Sequence, residues 1–162
     1  MPNTEPNTGN VPEERIRELG LELPAAPKPL GAYVPFVRTG RLIYLSGMLP
    51  LKDGKLFRTG RVGEVVSLED AAECARISAV NALAVLKAAV GDLGTVTRCV
   101  KITGFVASAQ DFYDQPKVIN GASELIAAVF GAAGLHARAA VGVPVLPINA
   151  PVEIEFIFEV AE

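Results

Sequence analysis

Residues 67–91, SLEDAAECARISAVNALAVLKAAVG, carry one helix and dictate what it packs on. Ser67 and Asp70 make the Ser-x-x-acid start of a helix. Apolar or small residues recur at Ala71, Ala75, Ser78, Ala82, Val85 and Ala89, with Leu86 beside them. That spacing predicts one long amphipathic helix from Leu68 to Val90, stopped by Gly91. Its many alanines fit close packing against a flat partner, such as a sheet.

Strand patterns lie on both sides of this helix. Upstream, Tyr33–Arg38 reads as a strand whose Pro35 fits an edge or a bulge. Thr39-Gly40 turns the chain into Leu42–Gly47, making a hairpin. Asp53-Gly54 signals a second hairpin between Met48–Leu51 and Lys55–Phe57. Downstream, Thr97–Val106 is β-branched and strand-like. Phe112–Phe130 has helical spacing, with an interruption expected near Asn120-Gly121. Ala137–Leu146 and Val152–Val160 complete the strands, the last with clear period two. Strands, helix, strand, helix, strands predict an α+β fold of two layers, a mixed β-sheet with two main helices on one face. The bare pattern also permits a ferredoxin-like domain.

Residues 1–30 are expected to hold a frayed tail (Met1–Asn10), a short helix (Glu13–Leu19) and a proline-rich linker (Leu23–Leu30). Residues 31–162 then form a single domain.

The bulk numbers narrow the function. Half of the 162 residues are hydrophobic, 20% are charged, and mean hydropathy is +0.34. A domain this small has much surface for its volume, so part of its apolar surface is expected in a subunit interface. The longest apolar stretch, Ile77–Val90, falls short of the roughly 20 residues a membrane-spanning helix needs, and it carries Asn81 and Lys87. No membrane association is expected. Net charge is -3 and the pI is near 5.3, without clustered Lys or Arg, which argues against general nucleic-acid binding. Cys74 and Cys99 match no zinc or CxxC spacing and are expected to be buried thiols in a cytoplasmic protein. With one His, a multi-His metal site cannot be built within one chain.

Phosphate-loop, dinucleotide, nucleophile-elbow and zinc-hydrolase motifs are absent from the sequence. What remains is a short set of polar residues in apolar surroundings. Arg138 is the one strong charge in Leu135–Val141. A half-buried guanidinium needs an anion, because an unpaired one costs several kcal/mol. Two are open, an internal partner such as Glu153 or Glu155, or a ligand carboxylate gripped in two parallel bonds. Glu153 and Glu155 share one face of the last strand and can divide acid and base roles, or form a solvated face. Ser46-Gly47 closes a strand, where a hydroxyl and a backbone N–H can hold an oxygen, or simply make a turn. Asn120 is a poor helix former inside a helix pattern, which points to a hydrogen bond. His136 is the sole imidazole, beside a turn. Tyr33 and Tyr44 read as packing residues with a wet hydroxyl.

Taken together, these segments resemble the Rid/YjgF family of reactive-intermediate (imine and enamine) deaminases, also labelled L-PSP endoribonucleases. Leu30-Gly31-Ala32-Tyr33 and Leu45-Ser46-Gly47-Met48-Leu49-Pro50 resemble the family's opening. Val118-Ile119-Asn120 resembles its Asn-bearing helix motif. Ala137-Arg138-Ala139-Ala140-Val141, then Leu146-Pro147 and Val152-Glu153-Ile154-Glu155, resemble its C-terminal signature. Order and spacing agree from about Gly31 to Val160. The resemblance implies a chorismate-mutase-like fold, a homotrimer with clefts between subunits, and no cofactor or metal. It implies hydrolysis of 2-imino or enamine acids, such as those derived from 2-aminoacrylate, to 2-oxo acids and ammonia. Arg138 would grip the substrate carboxylate. Ser46, Gly47 and Asn120 would line the cleft with Ala140, Tyr33 would cap it, and Glu153 would orient or activate water.

Four positions depart from the family pattern. Ala140 replaces a usual Cys, Gly142 a frequent Glu, Met48 a Gln and His136 a Pro. The N-terminal helix and linker are additional. Two other readings accompany the deaminase, the first prompted by these departures and the second by the family's endoribonuclease label. One is a trimer that binds small carboxylate metabolites without turnover. The other, an endoribonuclease, is disfavoured by the acidic pI and the missing His pair.

Overall fold

A computed structural model describes residues 11–162, and the tail expected at Met1–Asn10 lies outside the described residues. The elements in chain order are α1 (Val11–Glu18), β1 (Phe36–Thr39), β2 (Leu42–Leu45), β3 (Leu51–Lys52), β4 (Lys55–Leu56), α2 (Leu68–Val90), β5 (Val96–Ala107), α3 (Gln115–Phe130), β6 (Ala137–Val143) and β7 (Val152–Val160). The fold is mixed α+β. Five strands form one sheet in the order β1-β2-β7-β5-β6, and β3 with β4 forms a separate small hairpin. Strands β5 and β6 are parallel, joined by the crossover helix α3, while the other pairs are antiparallel.

Helix α2 has the predicted bounds. The Ser67 Oγ accepts from the Asp70 N–H at 3.1 Å, satisfying a donor the helix itself cannot. The Asp70 carboxylate pairs with Arg58 at 2.9 Å. Gly91 ends the helix at φ 78°. Helix α3 is unbroken through Asn120-Gly121, contrary to the expected interruption. Its glycine has a packing purpose. A Cβ on Gly121 would overlap the backbone carbonyl of Ala72 in α2, so the bare Cα lets the two helices touch.

The sheet has one covered and one open face. Val152, Ile154, Phe156, Phe158 and Val160 alternate inward from β7 and are essentially buried. Ile43, Cys99, Ile102 and Val106 share that face, and the alanine-rich side of α2 and the Val118–Ile119–Ala122–Ile126 side of α3 cover it. On the opposite face the register aligns Val37, Tyr44, Ile157 and Lys101, then Glu155, Thr103 and Ala139, then Glu153, Phe105 and Val141. Val37, Tyr44 and Val141 stay largely exposed there. A solvated face of an antiparallel sheet is normally polar, and this one is mostly apolar.

Strand β1 begins at Phe36, three residues later than predicted. Tyr33 and Val34 lie in the preceding turn, and the carbonyls of Val34 and Pro35 serve Ser46. The β3–β4 turn is the expected Asp53-Gly54, with both residues at positive φ, as a two-residue hairpin turn requires. Strand β6 stops at Val143, short of the predicted Leu146.

The N-terminal helix α1 packs on the same core through Ile16. Glu13 is nearly buried, and its Oε1 accepts from Lys87 Nζ and the Leu93 N–H, both at 3.0 Å. Among the described residues, no helix is long and apolar enough to cross a membrane.

Candidate functional site

The residues singled out in the sequence assemble into two groups. The first lies where β2 ends. Ser46 donates its hydroxyl proton to Val34 O at 2.6 Å, and its N–H goes to Pro35 O at 2.9 Å. Ser46 is therefore an acceptor toward a ligand, not the donor its position implied. The Met48 N–H is spent on Ile154 O at 2.8 Å. Between them, Gly47 makes no backbone hydrogen bond among the described residues, so its N–H is the donor this strand end offers.

Glu153 lies against Gly47. A Cβ on Gly47 would overlap the carboxylate, so the glycine makes room for it. Burial, and secondarily the Glu155 charge on the same face, raise the Glu153 pKa above the ordinary glutamate value. A carboxyl group so placed holds its proton to higher pH and becomes a better base once it has lost it. Tyr33 is half exposed, and its hydroxyl accepts from the Leu30 N–H at 3.1 Å, folding the ring back over Gly31. A cleft opens onto Ser46 and Gly47. The linker residues Pro27, Pro29 and Leu30 line it together with Tyr33, Met48 and Leu51.

The second group lies where α3 meets the edge strand β6. Arg138 Nη1 donates to Asn120 Oδ1 at 2.7 Å and to Ser123 Oγ at 3.2 Å, and Nη2 donates to Pro116 O at 3.3 Å. Among the described residues, Arg138 forms no salt bridge. Neither Glu153 nor Glu155 is its partner. Of its five N–H donors, three are used, which leaves the Nε–H and one Nη2–H. Those two can take a carboxylate in parallel bonds. Ala140 lies two residues on, on the same face, opposite Gly104. That glycine admits Ile119 of α3. At Gly142, a Cβ would press on the Gln115 amide and the Ser108 hydroxyl, which are bonded to each other at 3.2 Å.

The two groups do not meet within one chain. Arg138 is in register with Ile102, and Ile102 with Phe156, three residues beyond Glu153 on β7. Two strand spacings across and three residues along separate the Arg138 and Glu153 Cα atoms by roughly 14 Å. Their side chains also leave opposite faces of the sheet, since Arg138 faces α3 and Glu153 the open side.

Sequence reasoning missed Ser123. It lies three residues after Asn120 on α3, hence on the same helical face, and that spacing was its available signal. The linker lining had no signal of its own, since Pro27–Leu30 forms neither helix nor strand.

The family model described as "YjgF/chorismate mutase-like, putative endoribonuclease" matches residues 13–160. The crystal structure of the protein Atu1372, of unknown function, from Agrobacterium tumefaciens is 51% identical, with a TM-score of 0.87 over 94% of both chains. "Protein TCP17" of Trypanosoma cruzi is 41% identical over 89% of this chain and 91% of its own. A 2-iminobutanoate/2-iminopropanoate deaminase of Dermatophagoides farinae is 32% identical over 85% of this chain and 92% of its own.

Proposed function

Since the chain belongs to the YjgF/chorismate-mutase-like family, we propose that it hydrolyses small 2-imino acids to 2-oxo acids and ammonia. The observation that carries this reading is Arg138, held by neutral acceptors with two donors unspent. The named activity of the Dermatophagoides farinae relative supports it.

The chemistry asks little of the protein. An imine carbon is already electrophilic, so the site must fix the carboxylate, aim a water and move protons. Arg138 takes the carboxylate. Glu153 removes a proton from water as the oxygen bonds to the imine carbon, and the imine nitrogen gains a proton. The resulting carbinolamine loses ammonia, and the carbon–oxygen double bond forms. The Gly47 N–H is a donor for developing charge at the strand end. Asn120 and Ala140 flank the guanidinium, while Ser46 and Tyr33 bound the cleft.

Arg138 and Glu153 of one chain face apart, so the complete site needs Arg138 of one copy beside Glu153 of another. The apolar open face of the sheet, with Val37, Tyr44 and Val141 exposed, supports such an assembly, a homotrimer as in the family resemblance.

Hydrolysis of freshly generated 2-iminobutanoate, followed by ammonia release, tests the reading with wild type and Arg138→Ala side by side. A loss of about 100-fold or more in kcat/KM in the variant is expected. Saturable binding of 2-oxobutanoate without turnover by wild type would instead establish a carboxylate-binding protein. Ala140 and Gly142, which leave Arg138 without reactive side chains beside it, favour that second reading.

A further inference from the structure

We propose that Ser123 and His136 are positioning residues that lock Arg138 into its gripping orientation. The proposal rests on the role given to Arg138 above, but its physical core is a chain of hydrogen bonds whose direction can be worked out link by link.

The His136 Nδ1 is 2.7 Å from the carbonyl of Gly134. A carbonyl only accepts, so Nδ1 carries the proton. In the neutral ring Nε2 is then an acceptor. Its partner, 2.9 Å away, is Ser123 Oγ, which must donate its one proton to it. With that proton committed, Ser123 turns its lone pairs outward, and Arg138 Nη1 donates into them at 3.2 Å. Arg138 cannot accept, so the amide oxygen of Asn120 takes the second Nη1 proton at 2.7 Å. Pro116 O fixes Nη2.

The chain runs in one direction, from Arg138 through Ser123 and His136 to Gly134. Its anchor, Gly134, is buried, and a Cβ there would strike the α3 backbone at Ile126 and Ala127. The network thus ties the guanidinium to the C-terminal part of α3. It consumes both protons of Nη1, so the Nε and Nη2 edge is the one left to a ligand. Without the imidazole, the Ser123 hydroxyl could turn its proton toward Arg138 and oppose it.

His136 is the sole histidine, so its imidazole gives an unambiguous nitrogen NMR signal in the full-length chain. The spectrum of ligand-free wild type is expected to show the Nδ1–H tautomer with an unprotonated, hydrogen-bonded Nε2. Ser123→Ala and Arg138→Gln should each shift the Nε2 signal, the first by removing its donor, the second by removing the group that polarises that donor. In kinetics with 2-iminobutanoate, Ser123→Ala should raise KM about tenfold with kcat changed less than about threefold. Ser123→Thr, which keeps the hydroxyl, should restore KM.

An Nε2–H tautomer, or an Nε2 signal indifferent to Arg138→Gln, overturns the proposal. So does a Ser123→Ala KM equal to wild type. Absence of turnover in wild type defeats the deaminase reading alone, since the ligand-free spectra still decide the hydrogen-bond chain.

Discussion

The Glu153 carboxylate occupies the space that a methyl group on Gly47 would fill. An antiparallel bridge between Ile154 and Met48 sets residue 155 across from Gly47 and residue 153 across from Leu49, so the Glu153 side chain reaches Gly47 diagonally. A backbone position without a side chain is thus what lets a carboxyl group approach an uncommitted N–H.

Gly47→Ala tests that relationship. The obstructing atoms are the far end of a flexible side chain, so Glu153 can swing away and the fold survives. Turnover of 2-iminobutanoate is expected to fall about 100-fold, in line with loss of a general base, while stability changes by less than about 1 kcal/mol. Wild-type turnover in this variant would remove Glu153 from the proton transfers.

The raised pKa of Glu153 has two consequences with opposite signs. As a base it must be ionised, so kcat/KM should rise with pH through an apparent pKa above the ordinary glutamate value. For stability, the folded state keeps its proton where the unfolded state has lost it. The favourable contribution is therefore complete below the unfolded pKa and disappears as pH rises through the folded one. Denaturant titrations across this window should show wild type losing stability relative to Glu153→Gln as pH increases. Parallel curves for the two proteins would mean the carboxyl is not perturbed.

Gly121→Ala is the structural counterpart of the Gly47 variant. Here the obstruction is the Ala72 carbonyl, part of the α2 backbone, which cannot rotate aside. A loss of about 1–3 kcal/mol is expected from overpacking, read as a lower urea midpoint with an unchanged slope. An unaltered midpoint would show that α2 and α3 can separate at no cost.

Cys74 and Cys99 are fully buried, and burial pushes each thiol up to about 12. Native protein should give no prompt colour with a disulfide reagent, and denatured protein should give two thiols per chain. Fast reaction of either in the native state would contradict the packing beneath α2.

Where periodicity is uninterrupted, the sequence predicted the elements closely. Helix α2 and strand β7 have the expected bounds, because a 3.6-residue stripe and strict alternation each admit one buried face. The expectation failed at Gly121, where a residue that weakens an isolated helix is required by a neighbouring one. It failed at Tyr33 and Val34, where the chain bends ahead of β1 and the Val34 and Pro35 carbonyls are taken by Ser46. Among the chemistry-bearing residues, Arg138 was legible as a charge in an apolar strand. Its hydrogen-bond partners were only half legible, since Asn120 stood out as a poor helix former and Ser123 did not. That Arg138 and Glu153 leave opposite faces follows from three strands' register, which no local pattern encodes.

The proline-bearing segment Pro27–Leu30 lines the cleft that opens onto Ser46 and Gly47 while supplying none of the proposed proton-transfer or carboxylate-holding groups. In the proposed reaction, selectivity and reactivity are thereby assigned to separate parts of the chain. On that assignment, exchange of those few linker residues is expected to change which ligand side chain is accepted, with the sheet, the helices and every hydrogen bond around Arg138 left as they are.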